Sequence, residues 1–422
     1  MRARSTVPAL VALLTPLLSA QAGPVISGFV TKPGAAEYQV NAASVLCDPV
    51  TTKERVERKG EAVGNHLCPM RILGESVSVF GQKDKKAGVI HATEVEHDEI
   101  TDIAVEGFAL IDKVIAPPTA SSGTVRADGL PLTIVPTTKL TFAQGSNLTI
   151  DRVSTNTWVR YTGTLHPDGT VTAASLLFSP NLIGSYEGKL RTKTDFDPSA
   201  VKEEDRQSSA SRLFLGPKGK HIPASHNQAA QDRITAIGRK LIPAYQRNLP
   251  DSDPTKIDFR FQLVDDPKLH FTLSEPSGVI QIPESFPETL TDDSQLAAVL
   301  AGAIAEVLEK QALRAIPGNY GRSAVNLVGN AAGFLVPGLG FATSMVTAKS
   351  ASIAEHHRLQ QVARTSLAYM HDAGFDIAQA PTAWWRLADK KSRGLAETQM
   401  PYITQALYQT LAAAHRPSDP SN

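Results

Sequence analysis

Residues 291–313 read TDDSQLAAVLAGAIAEVLEKQAL. The opening Thr-Asp-Asp-Ser-Gln is a helix start, with Asp292 as N-cap and Gln295 three residues on. From Leu296 to Leu313 the stretch is very rich in alanine and leucine, which predicts a helix buried in a core.

The flanks build a domain around that helix. Upstream, Ser225-His226-Asn227-Gln228 reads as a capping box, with the serine oxygen taking a backbone N–H and Gln228 reaching back. It opens a helix with Ile234, Ile237, Leu241 and Ile242 on one face. Strand-like runs follow at 257–264 and 271–273, then a Pro276-Ser277-Gly278 turn and the apolar run Val279-Ile280-Gln281-Ile282. Downstream, residues 323–348 carry no charge. They are long enough to span a bilayer, but Pro337-Gly338 would break such a helix in the middle. We expect two short helices there, packed in the core or resting on a membrane surface. Phe334 and Leu335 in this segment, with Trp384 and Trp385, are candidates for a partner surface, although core is the default for the tryptophans.

This order of elements resembles the HExxH zinc peptidases of the CAAX prenyl protease and periplasmic barrel-assembly protease family. The resemblance covers about residues 226–390. Metal helices of that family look like E-L-A-A-V-L-G-H-E-I-G-H-V-L, and Gln295 to Leu308 fits the frame without a gap. In such a helix two histidines one turn apart hold zinc, and the glutamate between them takes a proton from metal-bound water. This chain has Gly302-Ala303-Ile304-Ala305-Glu306 instead. Gly302 and Glu306 stand at the histidine positions and Ala303 at the base. The family's third ligand precedes a Y-M-x-x-A-G-Y-D pattern, which is Tyr369-Met370-His371-Asp372-Ala373-Gly374-Phe375-Asp376 here. Counting back puts Leu359 and Ala363 where the family has Glu and Asp. The resemblance therefore implies a zincin-like fold that has lost catalysis and needs no cofactor. The alternative is a rebuilt zinc site from Glu306, Glu309 and His356 in an unconventional metallopeptidase. Against it, these residues read as solvated or paired helix charges.

Residues 25–180 have strand grammar: short alternating runs broken by Gly, Pro, Asp and Asn. They contain a weak repeat. Ile26–Val30 resembles Val105–Ala109, and Val77–Gly81 resembles Val159–Gly163. The closing glycines are followed 11 residues on by Ala92 and Ala174. His166-Pro167-Asp168-Gly169 is a hairpin turn. The pattern resembles a bacterial extracytoplasmic domain of uncharacterised function with an OB-like barrel. Such barrels can bind oligonucleotides or sugars, but stacking aromatics interleaved with Lys and Arg are missing here. His91, Glu94, Glu96 and His97 could be read as metal ligands. Strand alternation puts both histidines on one face, ~20 Å apart, so a solvated strand end is the better reading.

Residues 1–22 combine Arg2 and Arg4, an apolar run and an Ala20-Gln21-Ala22 cleavage pattern, which reads as a secretory signal. An oxidising compartment, periplasmic or extracellular, then makes Cys47 and Cys68 a disulfide pair, with two free thiols as the alternative. The chain of 422 residues holds 42 basic and 42 acidic residues, against nucleic-acid binding by bulk charge. The expected fold class is α+β multidomain. After the signal come OB-like modules at 23–100 and 101–190 and a linker at 191–224. A mainly helical zincin-like domain with a small sheet occupies 225–415, and a disordered tail 416–422. The expected function is an exported, non-catalytic scaffold, adaptor or regulator that binds envelope proteins, with peripheral membrane contact through 323–348. A carbohydrate- or peptide-binding protein acting through the β modules is the third reading.

Overall fold

The computed structural model describes residues 23–41, 43–58, 61–66, 68–98, 101–197, 200, 222–266, 269–314, 353–388 and 402–414. The signal, most of the linker, the 323–348 segment with Phe334 and Leu335, and the tail lie outside the described residues, as does the His356 side chain.

The first β module comprises β1 (Ile26–Lys32), β2 (Glu37–Val40), β3 (Ala43–Leu46), β4 (Lys53–Arg58), β5 (Glu61–His66), β6 (Ser76–Asp84) and β7 (Val89–Asp98). A parallel β3–β7 pairing closes the ring β1-β2-β3-β7-β6, a five-stranded barrel. Farther along β7, β4 continues in parallel and carries β5 as a hairpin. The second module comprises β8 (Ile103–Ala116), β9 (Gly123–Ala127), β10 (Leu130–Ile134), β11 (Lys139–Phe142), β12 (Thr157–Leu165) and β13 (Val171–Pro180). It closes in the same order through β10–β13. Inward-facing aliphatic and aromatic residues fill both interiors, among them Val30, Val40, Val79 and Val95 in one and Ile111, Tyr161, Leu176 and Phe178 in the other. Cys47 and Cys68 form a disulfide at the foot of the β4–β5 hairpin, which the second barrel lacks.

Strand pairing corrects the repeat. Gly81 lies opposite Ala92, and Gly163 opposite Ala173 rather than Ala174. Ala173 is buried and Ala174 exposed, because the β12–β13 turn is one residue shorter. Likewise Ile26 opposes Val79 as Gly107 opposes Tyr161, so β1 matches β8 two residues later than the sequence suggests. Each barrel bulges at its glycine. A Cβ there would lie 2.0 Å from the His91 carbonyl oxygen at Gly81 and 2.4 Å from that of Thr172 at Gly163. The bulge at Thr93 breaks alternation, so His91 points outward while His97 turns to Glu54 and Glu75; the two histidines do not share a face. The clearest repeat signal is one the strand patterns overlook: Thr51-Thr52-Lys53 and Thr137-Thr138-Lys139. The Thr52 hydroxyl donates to the Ala92 carbonyl at 2.8 Å and Thr138 to that of Ala173 at 2.7 Å.

Helix α1 (Ser185–Thr194) stands where the linker was expected to begin. The remaining elements are α2 (Gln228–Leu241), α3 (Ala244–Asn248), β14 (Arg260–Val264), β15 (Leu273–Ser274), β16 (Val279–Pro283), α4 (Ser285–Thr289), α5 (Asp293–Leu308), α6 (Gln311–Arg314), α7 (Ile353–Asp372), α8 (Ala380–Leu387) and α9 (Tyr402–Ala414). Strand β16 lies between parallel β14 and antiparallel β15. The cap of α2 is Asn227, which accepts from the Ala230 N–H; Gln228 bonds forward to Asp232 and does not reach back. Asp292 caps α5 as expected, but Gln295 turns into the core toward Thr382. The long helix expected to run to Leu313 stops at Leu308, where Glu309 is drawn into the second barrel and Lys310 takes a positive φ of 50°.

Candidate functional site

The positions singled out on α5 and α7 meet in one core. Ala303, Leu359 and Ala363 are buried there with Val362 and Trp384. A Cβ placed on Gly302 would meet Val362 Cγ1 at 3.7 Å and Trp384 Cζ2 at 3.8 Å, ordinary contact distances. Around Gly302, apolar side chains of α5, α7 and α8 pack together. Gly302→Ala is therefore expected to stabilise the chain by about 0.5–1 kcal/mol, since alanine fits and favours the helix. Gly302→His is expected to cost about 2 kcal/mol or more, because an imidazole has neither room nor partner. Thermal denaturation of the two variants checks both signs.

The two described carboxylates of the rebuilt-metal alternative, Glu306 and Glu309, have different partners. Glu306 is partly buried at the β15 side of α5, where burial pushes its carboxyl up to about 8 against a lesser lowering by Ser274. Glu309 is 1% exposed and faces the second barrel. Its Oε1 accepts from the Leu110 N–H at 3.2 Å, and its Oε2 from Gln361 Nε2 at 3.3 Å. Burial pushes Glu309 up to about 8, opposed by Arg314 and the Leu110 amide. Among the described residues no three His, Cys, Asp or Glu side chains gather in a metal-holding group.

Sequence reasoning missed the interface that Glu309 belongs to. Gln361 Nε2 also donates to the Phe108 carbonyl at 3.0 Å, while its Oε1 accepts from Gln311 at 2.6 Å and Arg314 at 2.8 Å. Arg314 lies over the Phe108 ring at 5.3 Å. Leu110 packs with Trp158 and Tyr245. Farther along α7, Arg364 Nη2 donates to Asp128 Oδ2 at 2.5 Å, and the Tyr161 hydroxyl donates to the same oxygen at 2.6 Å. Arg126 grips Asp112 through two nitrogens and reaches Asp372 at 2.6 Å. Pairing register makes Phe29 the first-barrel equivalent of Leu110. Its amide donates within its own barrel, to Asn41 Oδ1 at 3.0 Å, and its ring stacks on Tyr408.

The two tryptophans differ in burial. Trp384 is in the main core, and Trp385 packs beside Phe29 and Tyr408. Two further features lie on the barrels. A groove of about 590 Å³ on the first is lined by Leu46, Cys47, Asp48, Thr51, Gln82 and His91, among others. On the second, His166 lies 3.0 Å from Asp102 and 2.8 Å from the Thr172 hydroxyl, a polar clasp across the exposed β12–β13 turn. Among the described residues no helix is long and apolar enough to cross a membrane. Compared with known proteins, the chain matches no family model and no curated protein. What stands is an architecture: a mixed α+β chain of two closed five-stranded barrels and a helical region with a three-stranded sheet.

Proposed function

We propose that this chain is an exported, non-catalytic scaffold or adaptor, in which two OB-like barrels are mounted on a zincin-like helical body and act by binding envelope proteins. The observation that carries the reading is the packing around Gly302. Val362 and Trp384 lie at contact distance from where its side chain would begin, and Leu359 and Ala363 belong to the same dry core. Buried ligands need partners or a metal; apolar replacements remove that need. The network at Glu309 supports the same reading, because it commits this carboxylate, just past the end of α5, to the Leu110 amide and Gln361.

The test is metal stoichiometry on the mature chain, residues 23–422, purified without chelator and without a histidine tag. Zinc near zero per chain is expected. One tightly held metal per chain would overturn the reading in favour of an unconventional metallopeptidase, with Glu306, Glu309 and His356 the first residues to replace. The groove beside Cys47 favours a second reading, a small carbohydrate or peptide held by the first barrel. Glycan- and peptide-array binding that is lost on replacing Gln82 and His91 would establish it.

A further inference from the structure

Equivalent strands of the two barrels differ in what lies beside them. Lys53 and Lys139 each follow a pair of threonines, and each opens a strand that runs parallel to the last strand of its barrel. With Ala92 matched to Ala173, Glu94 opposite Lys53 and Ser175 opposite Lys139 fall at the same position, so β4 and β11 share one register. On its other side β4 carries β5, antiparallel, with Glu54 opposite Asn65 and Val56 opposite Val63. Strand β11 ends its sheet, and among the described residues no strand lies on its outer side.

Backbone alternation decides which groups that edge offers. The Ala143 N–H donates to the Phe178 carbonyl at 2.8 Å, so Lys139, Thr141 and Ala143 turn their backbone groups to β13. Those of Leu140 and Phe142 point away from β13, at the positions that Glu54 and Val56 hold on β4. The Leu140 and Phe142 side chains pack on the barrel interior, and Phe142 stacks on Phe178, which fixes the strand in place. Backbone donors and acceptors seek partners, and an open edge is a template for one more strand.

Resting on the reading of the chain as a binder of proteins, we infer that the outer edge of β11 takes an extended segment of a partner protein as an antiparallel strand, in the place that β5 fills in the first barrel. Leu140 and Phe142 each exchange both backbone hydrogen bonds with the residue opposite, so the backbone supplies affinity and the side chains set register. The order of the segment follows. It has an apolar residue opposite Phe142, a free choice opposite Thr141, an apolar residue opposite Leu140, and an acidic residue opposite the exposed Lys139. In the first barrel Val63 stands at the first of these positions.

Residue-resolved hydrogen exchange of the mature chain, residues 23–422, tests this against a library of short synthetic peptides with an apolar-x-apolar-acidic core. In the free chain the Leu140 and Phe142 amides should exchange freely while those of Thr141 and Ala143 are protected. A peptide at about ten times its Kd should slow Leu140 and Phe142 roughly tenfold. Leu140→Pro removes the outward N–H and keeps the pairing with β13, so it should weaken binding roughly tenfold, whereas Leu140→Val should bind as the natural chain does. Lys139→Glu should reverse the preference toward peptides with lysine at the acidic position. Protection of Leu140 and Phe142 in the free chain would overturn the proposal, because this chain or a second copy would already fill the edge. So would a library in which no peptide slows them, or binding that Leu140→Pro leaves unchanged. Peptides that bind and protect another part of the chain would sink this edge and leave the protein-binding reading standing. Should Leu140→Pro fail to fold, the reversal by Lys139→Glu decides.

Discussion

Glu309→Ala is expected to destabilise the helical region by about 3 kcal/mol, whereas Glu309→Gln should stay within ~1 kcal/mol at neutral pH. Alanine leaves the Leu110 amide and Gln361 Nε2 without their acceptor in a site that water does not reach. Glutamine keeps an acceptor oxygen and resembles the protonated carboxyl that burial favours. Glu309 is pushed from 4.5 up to about 8, so the folded chain holds a proton that the unfolded chain releases. Stability should therefore fall as pH rises across that interval and level off above it, by an amount on the order of a few kcal/mol. Glu306, at about 8, and Glu275, at about 7, add slopes of the same sign. Denaturant titrations read by tryptophan fluorescence at several pH values check both parts. An unchanged slope in Glu309→Gln would show that the Glu309 proton does not carry it.

Arg364→Met is expected to cost about 3–5 kcal/mol, the penalty for stranding a buried charge. Asp128 is 3% exposed and sits at a left-handed turn position with a φ of 59°. Without the guanidinium its carboxylate keeps the Tyr161 hydroxyl but loses its counter-charge. Adding Asp128→Asn should recover part of the loss, because the charge that was stranded is gone. Purely additive effects in that double-mutant cycle, read from the same titrations, would show that the pair is not coupled.

Features governed by near neighbours were legible in the sequence. The strand runs of the barrels follow from alternation and turn residues, the Asp292 cap from its place before an apolar run, and the Cys47–Cys68 bond from there being only two cysteines in a chain expected to be exported. Features set by one residue or by a distant partner were not. A single extra residue at Thr93 reverses which way His97 faces, and one fewer in the β12–β13 turn replaces Ala174 by Ala173. Glu309 reads as an ordinary helix charge because its partner, the Leu110 amide, is a backbone group 199 residues away and leaves no mark in side-chain pattern. The packing of Gly302 among Val362 and Trp384 agrees with the apolar character of those positions, yet their meeting in space depends on how three helices cross.

The matched amides of Phe29 and Leu110 also set a timetable for a chain made from its N-terminus. The Phe29 amide waits 12 residues for Asn41, a second or so at roughly 5–20 residues per second. The Leu110 amide waits 199 residues for Glu309, ~10–40 s at the same pace. The first barrel can close while the rest is still being synthesised. The second must remain with Leu110 and Trp158 uncovered until Tyr245 of α3 arrives and with the Leu110 amide unpaired until Glu309 follows, and that interval is when a nascent chain has most need of a chaperone.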